Sequence, residues 1–84
     1  MDRTPSALDN VQRPLNAHPV PPGHHTDVER PIPVQVRIVF ERDGEEWVDG
    51  RAVEWTRELV RVDVADVRLL PRGVWVRAGD VRRA

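Results

Sequence analysis

The 84 residues predict an all-β protein, a small barrel of four to five antiparallel strands preceded by a disordered N-terminal leader. Three observations support that expectation. Apolar residues alternate with period two from Val34 to Phe40 and again from Val60 to Val64, the spacing of half-buried strands. Turn-forming pairs punctuate the chain at Asp43-Gly44 and Asp49-Gly50. No stretch after Pro31 sustains a helical period over about ten residues, which argues against a core helix.

Composition divides the chain near Arg30. Residues 1–30 hold all three histidines (His18, His24 and His25), five of the eight prolines and no aromatic residue. Such a segment buries too little apolar area to offset an ordering cost of roughly 1–2 kcal/mol per residue, so it is expected to be a disordered, Pro-rich leader. Thr4 as N-cap, Pro5 at the first helical position and Ala7, Leu8 and Val11 at helical spacing allow one or two fraying turns within it. Residues 31–84 hold Phe40, Trp47, Trp55 and Trp75 and form the expected domain.

Within that domain the first strand covers about 34–41. A two-residue type I′ turn at Asp43-Gly44 sets Arg42 opposite Glu45 and Phe40 opposite Trp47, an aromatic pair. The second strand, about Trp47 to Trp55, is expected to bulge or bend sharply at Asp49-Gly50. A turn centred on Arg57-Glu58 pairs Trp55 with Val60, Glu54 with Arg61 and Val53 with Val62. Val60, Val62 and Val64 make the third strand. Residues 65–72, with Pro71, connect to a fourth, Val74 to Arg77, and residues 78–83 fit a 3₁₀ turn and a short final strand. A flat sheet this small encloses no core, so a bent second strand that closes the sheet on itself is the economical solution.

That order of features resembles the SH3-like and Tudor-like small barrels over roughly residues 34–83. The residues that carry the likeness are Glu46-Trp47-Val48-Asp49-Gly50-Arg51-Ala52-Val53, then Val60-Arg61-Val62-Asp63-Val64, then Gly73-Val74-Trp75-Val76, and finally Asp80-Val81-Arg82. It is a likeness of fold, and fold does not carry function. Methyl-lysine-reading Tudor domains use a cage of several rings, and peptide-binding SH3 domains a pair of aromatic residues beside an acidic loop. This chain has the acidic first hairpin (Glu41, Asp43, Glu45 and Glu46) but no Tyr.

Charge and missing residue types exclude several classes. Thirteen Arg, with no Lys, stand against fourteen Asp and Glu for a net charge of −1, so no general attraction to polyanions follows. The exclusive use of Arg reads as the mark of a GC-rich, bacterial coding sequence. Without Cys there is no disulfide, thiolate zinc site or cysteine nucleophile. No apolar run approaches the roughly 20 residues of a membrane span, and MDRTPSALDN does not read as a secretory signal, so a cytoplasmic location is the expectation. Adjacent His24 and His25 match no structural zinc spacing, and no metal or cofactor is expected. Glu45, Glu46, Asp49, Glu54, Asp63 and Asp80 read as a solvated face, and no nucleophile elbow, P-loop or zinc-protease helix is present, so no enzyme is expected.

The remaining chemistry lies in indoles and guanidiniums. Trp75 sits between Val74 and Val76; if the valines face the core, the ring faces outward, making it the first candidate contact residue, with Trp55 beside a turn the second. Arg77, Arg61 and Arg51 flank them as candidate binding residues. The expected function is a non-catalytic module that binds a protein segment through these residues. The alternative is a nucleic-acid-binding accessory protein using the same Arg and Trp side chains. The leader's Pro19-Val20-Pro21-Pro22 favours an extended conformation that either offers itself to a partner or folds back over Trp75. An open edge strand would support a dimer or accept a partner's strand.

Overall fold

The computed structural model of the chain describes residues 7–23 and 26–84. Thr4 and Pro5, the expected helix start, lie outside them; a single 3₁₀ turn follows at Ala7–Asn10. Five strands form one antiparallel sheet: β1 (Thr26–Phe40), β2 (Gly44–Trp55), β3 (Leu59–Asp63), β4 (Gly73–Arg77) and β5 (Val81–Arg83). Their order across the sheet is β4-β3-β2-β1-β5.

The outer strands, β4 and β5, are consecutive in sequence and joined only by the 3₁₀ turn Ala78–Asp80. In a flat sheet they would lie about 19 Å apart, four inter-strand spacings. The chain from Arg77 to Val81 reaches at most about 14 Å, so the sheet has to curl. It curls around Val34, Val36, Ile38 and Phe40 of β1, Ala52 of β2, Val62 of β3 and Val74 and Val76 of β4, with Val64 and Leu69 closing one end. The all-β fold of five antiparallel strands is as expected, and among the described residues no ladder between β4 and β5 closes the curled sheet.

Alternation along β1 is as the sequence implies, Val34 to Phe40 being buried at every second position. The hairpin after it differs. Phe40 pairs with Gly44 and Arg37 with Trp47. Glu41, Arg42 and Asp43 form the loop, Gly44 takes the left-handed conformation (φ 78°), and the buried Gln12 Oε1 accepts the Arg42 and Asp43 N–H groups at 3.1 Å each. With this three-residue loop the register differs from the expected one by an odd number of residues, and Trp47 falls on the face opposite Phe40, where Arg82 stacks on it at 4.1 Å from the ring centroid.

The bend at Asp49-Gly50 is also replaced. β2 pairs with β1 without a break from Gly44 to Ala52, and the irregularity falls at Val53, between Ala52 and Glu54 in the ladder with β3. β1 is irregular across the same region, between Asp27 and Ile32, a stretch containing Pro31, which has no N–H to give a ladder. Gly50 serves a close approach: a Cβ there would lie 2.6 Å from Val62 Cγ1 and 2.9 Å from the Asp63 carbonyl oxygen. The expected β2–β3 pairs Trp55 with Val60 and Glu54 with Arg61 are present, but Val62 faces Ala52 instead of Val53.

The leader is the largest departure. Strand β1 begins at Thr26, before the expected boundary, and residues 12–18 are tied to the sheet. Pro14 bridges Phe40 on β1, and His18 bridges Trp75 on β4. The Leu15 N–H donates to the Val39 carbonyl at 2.8 Å, the Glu41 N–H to Arg13 at 3.0 Å and the His18 N–H to Trp75 at 2.7 Å. Asn16 works on both sides: its Oδ1 accepts the Val39 N–H at 2.9 Å, and its Nδ2 donates to the Arg37 carbonyl at 2.8 Å and to Asp80 at 3.2 Å. This strap spans the seam that the open sheet leaves between β1 and β4. Composition predicts disorder by counting apolar side chains; the strap gains most from main-chain pairing with two unpaired sheet edges.

Candidate functional site

The rows across β2, β3 and β4 fix where each candidate residue lies. Val60 pairs with Val76 and Val62 with Val74, both pairs on the core side. Arg61 pairs with Trp75 and Leu59 with Arg77 on the opposite side. Trp75 thus points away from the valines, as the sequence implies, yet it is only 5% exposed. The strap meets β4 at the same residue, its His18 pairing with the Trp75 main chain along the strand's free edge. Trp75 is therefore buried and not the open contact residue that was expected, and the leader docks on the sheet through the main chain of residues 12–18.

Arg61, the neighbour of Trp75 in its row, is also spoken for. Its guanidinium donates twice to Glu54 Oε1, at 3.2 and 3.0 Å, and lies 3.5 Å from Asp63. Glu54 is the next residue in the same row, so the pair is the opposite-charge match that the register sets up. Arg51 pairs with Asp63 at the other end of the sheet and lines a cleft of about 700 Å³ with Pro33, Gly50 and Arg72. The five candidates therefore do not form one surface.

Trp55 remains open. It ends β2, pairs with Thr26 on one side and Val60 on the other, and is 43% exposed. It lines a groove of about 770 Å³ with Pro21, Pro22, Arg57, Glu58 and Leu59. The adjoining turn is rigidified by Thr56, whose Oγ1 accepts the Leu59 N–H at 3.0 Å and the Glu58 N–H at 3.3 Å, while its own N–H donates to the Leu59 carbonyl. Arg57 and Arg77 are exposed and make no ion pair with a described residue. Arg77 faces Leu59 across the β3–β4 ladder, which brings it to the same end of the sheet as the groove. Sequence reasoning missed the groove because Pro21 and Pro22 belong to the leader; the proline pair was the only sign of it.

The most concentrated electrostatics lie elsewhere, on Arg68 in the β3–β4 connection. Its guanidinium sits 3.8 Å from the Phe40 ring centroid and reaches Asp66 at 2.7 Å, Glu46 at 2.7 Å and Asp43 at 3.0 Å. Its pKa is raised further by these carboxylates, Asp66 first and Glu46 next. In return Arg68 holds the carboxyls of Asp66 and Asp43 below the ordinary range; for Asp43 the bond to Gln12 adds to the effect. Arg37 similarly joins Glu45 at 3.1 Å to Asp80 at 3.2 Å. Of the carboxylates read as a solvated face, Glu45, Glu46 and Asp80 pair with arginines of the same chain.

No group of three or more His, Asp or Glu among the described residues is placed to hold a metal ion; His24 and His25 lie outside those residues. No helix among them is long and apolar enough to cross a membrane. No protein-family model matches the chain, and no significant match was found to a curated protein or a solved structure.

Proposed function

We propose that the chain is a non-catalytic interaction module, built on an SH3-like curled sheet, that binds a segment of another protein in the Trp55 groove, with Arg57 and Arg77 at its rim. The observation behind this reading is the 43% exposure of Trp55 on a groove wall, while Trp75 is covered and Trp47 lies under Arg82. An indole half open to water on a rigid turn is the kind of anchor that concentrates binding energy in protein interfaces. The SH3-like reading is supported by the sequence of features: the V-x-V pattern on β3, the short aromatic strand β4, then Asp80-Val81-Arg82 at the final turn and β5.

A protein partner is favoured over nucleic acid because Arg37, Arg61 and Arg68 are engaged with carboxylates of the same chain. Residues 31–84 carry ten Arg against ten Asp and Glu, which leaves little net charge for releasing counterions from a phosphate backbone. The test is native capture with the full chain and with Trp55→Ala, each with and without nuclease. The expected result is a defined protein that survives nuclease and is lost with Trp55→Ala. Capture that vanishes with nuclease would move the reading to nucleic acid.

A further inference from the structure

The strap is held by contacts that none of its own linker makes. Residues 12–18 pair with β1 through Leu15, Asn16 and Arg13, with β4 through His18 and with the β3–β4 connection through the Gln12 N–H, which donates to the Arg68 carbonyl at 2.8 Å. Ala17 packs against the core. The connection from His18 to Thr26 is Pro19-Val20-Pro21-Pro22-Gly23-His24-His25, three prolines in seven residues. Proline fixes φ near −65° and stiffens such a span toward an extended form. Gly23, with φ 89°, is the one described residue of the linker in the left-handed region. Nothing lies within 4 Å of where its Cβ would be, so its importance there is backbone reversal alone.

We propose that the seam between β1 and β4 is an interaction surface for a second copy of this chain, filled by that copy's residues 12–18 in a reciprocal strand exchange. The occupant is fixed by what is already seated in the seam. A second copy presents the same carbonyl and N–H sequence and the same Asn16, which satisfies Val39, Arg37 and Asp80 together. Exchange keeps every strap contact and changes only which chain supplies it, so the equilibrium is set by the linker and by concentration. Extending the linker favours exchange; the reversal at Gly23 favours the closed monomer.

The experiment is sedimentation of the full chain and of Gly23→Pro, which imposes a φ near −65° where the closed form requires the left-handed region. The wild type is expected to be mainly monomeric at micromolar concentration, and Gly23→Pro to dimerise more tightly by about tenfold or more. Adding Asn16→Ala to Gly23→Pro should reverse the gain, because the exchanged strap loses its grip on β1 and Asp80. A Gly23→Pro chain that stays monomeric with its His18 amide as protected as in the wild type overturns the proposal. So does a dimer indifferent to Asn16→Ala, which would be assembled through another face. Should Gly23→Pro fail to fold, the wild type is refolded at roughly millimolar concentration, near the effective concentration of a short linker. Trapped dimer then supports exchange, and monomer alone overturns it.

Discussion

Three tryptophans with similar sequence surroundings have three different environments, and each implies a different response to truncation. Trp75 is 5% exposed, so Trp75→Ala should cost about 3–5 kcal/mol, read as a lower denaturant midpoint. Trp55→Ala removes a ring that is already 43% exposed at the end of a strand, and the melting temperature should move little while partner capture is lost. A larger loss of stability at Trp55 than at Trp75 would invert the assignment. Gly50 gives a third test at this scale. An Ala there sets its Cβ against Val62 and the Asp63 carbonyl, backbone that cannot swing aside, and Gly50→Ala should destabilise by about 1–3 kcal/mol in urea unfolding. An unchanged midpoint would mean that β2 and β3 are farther apart than described.

Among the elements, the β3–β4 connection is pinned to the first hairpin by one guanidinium, and that makes it sensitive to acid. The Asp66 and Asp43 carboxyls are held below their ordinary range in the folded chain. Their contribution is complete above the unfolded value of about 3.9 and is lost as pH falls through the lowered folded values. Melting temperature should therefore drop below about pH 4, and Asp66→Asn should make that decline shallower; identical profiles would show that Arg68 does not couple to it. Strand existence was readable from period two and turn residues, which is why β3 and β4 lie close to where the pattern puts them, while β1 extends back to Thr26, beyond the alternating stretch. Register was readable only where the turn was local: Thr56 closes the β2–β3 turn with its own hydroxyl, and Trp55 meets Val60 as expected. The first hairpin takes a three-residue loop ending in a left-handed Gly44, which Asp43-Gly44 allows as readily as a two-residue turn, and Gln12, some thirty residues away, accepts two of its N–H groups.

For the molecule as a whole, the sheet and its strap form one unit, in which the leader supplies what the sheet lacks. A five-stranded curl leaves the ends of β1 and β4 unpaired, and the strap's carbonyl and N–H groups meet both. This also decides the candidate site. With Trp75 buried, Trp55 is left as the accessible indole, with Arg57 and Arg77 near it. The sequence pointed to the right residue types and to the outward face of Trp75, but exposure depends on what lies over a face. A Pro-rich segment with few apolar residues gives no periodic signal that it will lie there. Residue-resolved amide hydrogen exchange on the full chain tests this account most directly. The account predicts that the Gln12, Leu15 and His18 amides are protected together, well beyond an open leader and close to the amides of β4. Exchange of all three at the rate of an unstructured chain would contradict it, since the seam between β1 and β4 would stand open.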